Sequence, residues 1–253
     1  MIRLNDTTNT LMLRTTLVGC FLAATAMTAS AQVPTPEKVP AWDTSAALGF
    51  SLTRGNSDTL LFTGNILTKK KWDQNELAFG ADATYGENSG EKNAESLHGF
   101  GQYNRLFTER VYGYLRLDGL HDAIADVEYR FTLSPGVGYY FIKEDNTKLS
   151  GEVGPAVIYE KQGDETDAYF TVRLAERFDQ KLSTRAKIWQ SVEILPQVDD
   201  LENFIVNAEL GVETALTEKL SLRTYIQDTY DNQPAAGREK NDLKLVTALA
   251  YKF

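Results

Sequence analysis

Leu245-Val-Thr-Ala-Leu-Ala-Tyr-Lys-Phe253 closes the chain with a strict alternation. Leu245, Thr247, Leu249, Tyr251 and Phe253 share one parity, and Val246, Ala248, Ala250 and Lys252 take the other. Successive side chains of a strand point to opposite faces, so the first set makes an apolar column on one face of a sheet. A strand of this kind that stops on an aromatic residue has the pattern of the closing strand of a transmembrane β-barrel, in which lipid and lumen faces alternate. On that reading Tyr251 and Phe253 are the assembly signal, addressed to the barrel-insertion machinery.

The rest of the chain repeats the pattern. Short polar turns recur at Trp72–Asn75, Phe107–Arg110, Phe141–Thr147, Phe178–Lys181 and Leu216–Lys219. Their first residues lie 35, 34, 37 and 38 positions apart, and Phe253 falls 37 beyond the last. Each interval holds two strands of about a dozen residues and a loop, within the range of membrane-spanning strands. Between the turns lie longer polar loops at residues 55–59, 86–93, 122–128, 161–167, 196–202 and 231–241. Six hairpins predict an all-β, twelve-stranded antiparallel up-and-down transmembrane β-barrel over residues 44–253, with short turns on the periplasmic side and longer loops outside. Phe107, Phe141, Phe178 and Phe253 fall at one set of strand ends, and Tyr85, Tyr129, Tyr159 and Tyr230 toward the other, as two interfacial girdles would require. Pro135 and Pro155 lie inside strands, each ten residues from Asp145. Proline donates nothing to a ladder, so a bulge flanked by Gly136 and Gly154 is predicted there.

Composition sets limits but does not reveal a barrel. The chain is 42% hydrophobic and has no run of about 18 apolar residues that would make a transmembrane helix. Residues 1–31 read as a signal peptide: Arg14 precedes an apolar stretch from Leu17 to Met27, and Ala29-Ser-Ala31 supplies a cleavage site. Met12 is an alternative start. Leu17-Val-Gly-Cys20 also fits a lipoprotein box, but it follows Arg14 closely and the apolar run continues beyond it, which favours cleavage after Ala31. That cleavage removes the only cysteine and leaves 24 basic and 34 acidic residues, a net charge of −10. Such acidity excludes nucleic acid as a partner. Residues 32–43, with Pro34, Pro36 and Pro40, read as a periplasmic leader.

The inward parity is charged. Asp82, Arg116, Asp118, Arg130, Glu152, Arg173, Arg185, Lys187, Glu193, Glu209, Glu213, Arg223 and Lys244 are its lumen-lining candidates. Mixed signs on facing strands fit either a polar channel whose opposed charges act on solutes or cross-strand pairs that close the lumen. No histidine is followed two residues later by the serine a barrel lipid hydrolase would need. His121 with Asp118 or Asp122 offers a base but no positioned partner, so a surface hydrolase is the weakest alternative and no catalytic residue is assigned. No metal-ligand spacing or phosphate-cradling loop is present, and no cofactor or metal is expected.

Gly55-Asn-Ser-Asp-Thr59, His121-Asp122, Arg130, Gly136-Val-Gly-Tyr139, Asp199-Asp200, Asp231-Asn-Gln-Pro234 and the terminal Tyr-Lys-Phe, in that order, resemble the salt-induced outer membrane protein family of Gram-negative bacteria, whose function is unknown. The resemblance spans roughly residues 44–253. It implies a single-domain outer-membrane barrel and, by the family's name alone, a link to osmotic or acid stress. It supplies no site residues. The expectation is therefore a non-enzymatic outer-membrane barrel in contact with lipid and lipopolysaccharide. It would be a monomer, acting as a narrow passive pore for small solutes or ions or as an envelope-integrity protein. The alternative is a structural or interaction barrel whose lumen is closed by ion pairs.

Overall fold

The computed structural model describes residues 41–53 and 59–253. The signal peptide, most of the leader and the tip of the first loop lie outside the described residues. Twelve strands follow one another: β1 (Asp43–Thr53), β2 (Thr59–Trp72), β3 (Asn75–Asn88), β4 (Glu91–Leu106), β5 (Val111–Asp122), β6 (Val127–Lys143), β7 (Thr147–Gln162), β8 (Glu165–Lys181), β9 (Ala186–Pro196), β10 (Phe204–Ala215), β11 (Leu220–Asp231) and β12 (Asn241–Lys252). Each pairs antiparallel with its chain neighbours, and β1 pairs with β12 to close the ring. The closing seam is short, pairing Ser45–Leu48 with Leu249–Lys252; closure lets strands satisfy within the wall backbone groups that a bilayer cannot solvate.

The burial pattern is inverted relative to a soluble sandwich. On β6, Phe131, Leu133, Val137, Tyr139 and Phe141 are exposed, whereas Arg130, Thr132, Ser134 and Tyr140 are buried. On β12, Leu243, Leu245 and Leu249 are exposed, and Val246, Ala248 and Ala250 are buried. A continuous apolar exterior on this scale is incompatible with water but suits a lipid solvent.

Large side chains also point inward, and glycines on the adjoining strand accommodate them. A Cβ on Gly138 would collide with the ring of Tyr112, and one on Gly211 with the indole of Trp189. Both rings therefore lie flat along the wall, the arrangement in which an aromatic covers a strand glycine.

Three connections expected to be long are short: residues 123–126 join β5 to β6 in four, no more than the turns at 107–110 and 216–219. Ser89 (φ 54°) and Gly90 (φ 82°) join β3 to β4 in a two-residue turn, and Gly163 (φ 59°) with Asp164 joins β7 to β8 likewise. Left-handed residues match the right-handed twist of a hairpin, so the strands run on through what reads as polar loop. The β8–β9 turn lies at residues 182–185 rather than 178–181. Phe178 pairs with both Leu149 and Gln190, which holds its segment in the wall. The longest described connections, 197–203 and 232–240, share one end of the barrel, called here the long-loop end.

Pro135 and Pro155 do face one another, but without a bulge. Leu133 pairs with Val157 and Val137 with Val153, the same register on either side of the prolines. The rungs between are missing because neither proline donates, and no extra residue is inserted. A Cβ on Gly154 would strike the carbonyl of Pro135, so glycine is what lets the two backbones close up there.

Candidate functional site

The barrel interior divides into a packed half and a wetter half. In the packed half Arg173 is 4% exposed. Its Nη1 donates to Glu152 Oε2 at 2.7 Å and its Nε to Glu193 Oε2 at 2.5 Å. Glu152 Oε1 also accepts from Gln102 Nε2 at 2.8 Å and Tyr112 OH at 2.9 Å, which ties β7 to β4 and β5. Ala156, Ile158, Leu195 and Ile205 form an apolar cluster on β7, β9 and β10, with Tyr169 of β8 against it. The inward face is thus not uniformly charged, as the alternation alone suggested.

Towards the long-loop end Arg130 pairs with Glu160 on the adjacent strand, and its Nη2 reaches Asp231 Oδ2 at 3.0 Å. Lys244 Nζ lies 3.6 Å from Asp122 Oδ2 and donates to Ser96 Oγ at 3.2 Å. Each of these ion pairs joins strands five apart around the ring, β6 to β11 and β12 to β5. They are struts across the lumen, not contacts along the wall.

The wetter part follows β3 to β5, with Lys244 of β12 reaching into it; farther down β12, Val246, Ala248 and Ala250 pack with Ala47 of β1 and Tyr225 of β11 in a second apolar cluster. His98 is held between Asp82, at 3.0 Å from Nδ1, and Asp118, at 3.4 Å from Nε2. Arg116 binds Asp118 through both Nε (2.8 Å) and Nη2 (2.6 Å) and lies 4.4 Å from the Phe100 ring centre. Side-chain exposure is 35% for Asp82, 30% for His98 and 34% for Lys244, against 5% for Arg173 and 9% for Arg130. Farther along, Glu213 accepts from Arg223 at 2.5 Å and pairs with Lys187 at 3.2 Å, and Lys187 is 49% exposed. Arg223 also donates to Ser45 at 3.0 Å, and Glu209 accepts from Trp189 and Gln227.

Charge is separated along the axis. Above the packed half, the long loops border a cavity of about 1050 Å³ whose lining, among the described residues, includes Asp126, Asp164, Glu165, Asp167, Asp199 and Asp200 and no lysine or arginine; Arg238 stands outside it, 3.8 Å from Asp126. At the short-turn end Lys69, Lys71, Arg177 and Lys187 gather from β2, β8 and β9, with Lys148 close by on β7, and outnumber the carboxylates of Glu76, Asp179 and Glu213 that pair with three of them.

Arg185, expected on the lumen wall, lies instead in the exposed turn between β8 and β9, displaced by the four-residue shift of that turn. His121 and Asp118 stand on opposite parities. His121 Nδ1 is bonded to the Glu128 carbonyl at 2.8 Å, and Asp122 Oδ1 accepts the backbone N–H of Ile124 and Ala125. The structure does not assemble these residues into a hydrolase constellation. Among the described residues no group of three His, Cys, Asp or Glu is placed to hold a metal. His98, Glu160 and Asp231 were not singled out in the sequence. His98 was recoverable, since it shares the inward parity of Asp82, Arg116 and Asp118 and pairs with Asp82 across the β3–β4 ladder.

No curated protein matches the chain in sequence. Among solved structures, the NanC porin in its rhombohedral crystal form is similar over 83% of this chain and 98% of that one, at 7% identity and a TM-score of 0.50. The KdgM porin aligns with 84% of this chain and 99% of its own at 6% identity and 0.46. The translocator domain of the autotransporter NalP from Neisseria meningitidis aligns with 84% and 87% at 12% identity and 0.47. The likeness to NanC is one of fold, a porin-like outer-membrane barrel. Residues 46–253 match the model of the family described as "Protein of unknown function, DUF481", and the chain belongs to that family.

Proposed function

We propose that the chain is a narrow passive pore of the outer membrane, conducting small ions along one side of a half-filled barrel. The observation that carries this reading is the uneven exposure of the inward charges. Asp82, His98 and Lys244 keep about a third of their side-chain surface, whereas Arg173 and Arg130 keep almost none. A lumen closed by ion pairs would bury both sets alike. Twelve strands enclose more interior than side chains fill in an eight-stranded barrel. Here the surplus lies beside β3 to β5.

Oriented with its long loops outward, the pore has an anionic outer basin and a cationic periplasmic end. A charged cleft concentrates counter-ions at its mouth. When the outer side is positive, cations enter through the acidic end and anions through the basic end, and both accumulate inside. Under the opposite voltage both are depleted. The current is expected to rectify, with the larger branch at outer-positive voltage. Replacing Asp164, Asp167, Asp199 and Asp200 together by asparagine should weaken rectification and cation preference, most clearly at low salt, where screening lengths are long. Rectification unchanged at low salt would remove the basin from the account. The same ion conduction gives a physical route to the osmotic link implied by the resemblance to salt-induced proteins, testable as slower recovery of a deletion strain from osmotic upshift.

A further inference from the structure

Glu176 interrupts the lipid-facing column of β8. It stands between Leu174 and Phe178 on the outward parity, with Gly151 opposite on β7 and Val192 opposite on β9. Gly151 presents no side chain there, and the ring edge of Phe141 lies over it, 2.9 Å from where a Cβ would stand. Beside it is a groove of about 510 Å³ walled by Tyr139 and Phe141 on β6, Val153 on β7, Leu174 on β8 and Ile194 on β9, a volume typical of small-molecule sites. Gln190 Nε2 donates to Glu176 Oε2 at 3.1 Å. Among the described residues no lysine or arginine forms an ion pair with Glu176. Arg177, its chain neighbour, points to the other face and binds Asp179 through two nitrogens.

A carboxylate on a hydrocarbon-facing wall is costly unless a partner compensates it. The apolar groove calls for an acyl chain, and the carboxylate calls for a cation that donates hydrogen bonds. We propose that this groove binds a phospholipid with a primary-amine headgroup, its ammonium on Glu176 and one acyl chain along Val153 and Leu174. Glu176 lies one outward position from Phe178, about 7 Å along the strand, so a headgroup at the aromatic girdle reaches it. Gln190 holds one carboxylate oxygen and leaves the other for the ligand. The short-turn end, where Glu176 lies, faces the phospholipid leaflet in the orientation above. The site does not depend on whether the lumen conducts.

The test is native mass spectrometry of the refolded barrel with dioleoyl phosphatidylethanolamine, phosphatidylcholine or phosphatidylglycerol of the same chains. Phosphatidylethanolamine should be retained about tenfold more than phosphatidylglycerol, and Glu176→Gln should erase the difference while leaving heat-modifiable gel migration unchanged. Val153→Trp, which fills the groove from its β7 wall and keeps the carboxylate, should release all three lipids. Equal retention of the three by the unsubstituted barrel, or undiminished phosphatidylethanolamine on Glu176→Gln, would overturn the proposal. So would a dimer whose formation depends on Glu176, since a second copy would then be the occupant.

Discussion

Arg173→Ala is expected to lower the unfolding free energy of the barrel by about 3–5 kcal/mol, the usual consequence of removing one partner from a buried ionic cluster. Arg173 is 4% exposed and holds Glu152 and Glu193 on the strands to either side. Without the guanidinium, two carboxylates face each other over the ring of Tyr114, which lies 5.2 Å from the Arg173 guanidinium carbon. Gln102 and Tyr112 still donate to Glu152, so the loss falls more heavily on Glu193. Glu193→Gln in the Arg173→Ala background should restore part of the stability. Arg173→Lys should restore less than the native residue, because one ammonium does not span both carboxylates as a planar fork does. Urea unfolding in detergent micelles, followed by tryptophan fluorescence, measures all three. Arg173 lies in the packed half, so folded Arg173→Ala protein should conduct nearly as the native barrel does.

Lys244→Ala should do the reverse, leaving stability nearly intact while changing permeation. Lys244 is 34% exposed and reaches across the lumen to Asp122 and Ser96 at distances that bring no close charge-assisted bond to the carboxylate. Pairs of that exposure contribute about 0–1 kcal/mol. Its removal takes away a strut and a positive charge from the wetter half, where Asp82 and Asp118 remain. Unitary conductance is expected to rise and the reversal potential in a salt gradient to move toward the cation limit. Lys244→Glu should move it further. Conductance and selectivity unchanged in both variants would mean that ions take a path that avoids β12.

The fold was legible because alternation, turn spacing and aromatic placement all report the same strand period. The inner and outer faces of β6, β10 and β12 follow directly from parity. The tight hairpins at Ser89-Gly90 and Gly163-Asp164 were hidden by polar sequence that continues the strands, since charged residues beyond the bilayer remain compatible with pairing. Arg185 was misplaced because turn chemistry at Phe178-Asp-Gln-Lys181 resembles that of the true turn four residues on. Within the interior, parity says which residues face inward but not how they are shared across the ring. Arg130 and Asp231 are separated by 101 positions in the chain, and no local pattern records that they meet. The apolar cluster at Ile158, Leu195 and Ile205 was missed for the same reason: on its own parity Leu195 lies between Glu193 and Gln197, Ile205 between Asn203 and Asn207, and Ile158 has only Ala156 beside it before Glu160.

Single-channel recording from the refolded barrel in a planar bilayer, in a tenfold potassium chloride gradient, tests the central claim most directly. The half-open lumen predicts stable unitary steps, larger when the long-loop side is positive, with a reversal potential on the cation side that moves further with Lys244→Ala. Protein that is inserted and folded by heat-modifiable migration yet electrically silent at every voltage would contradict it, and would make the struts at Arg130 and Lys244 parts of a closed wall.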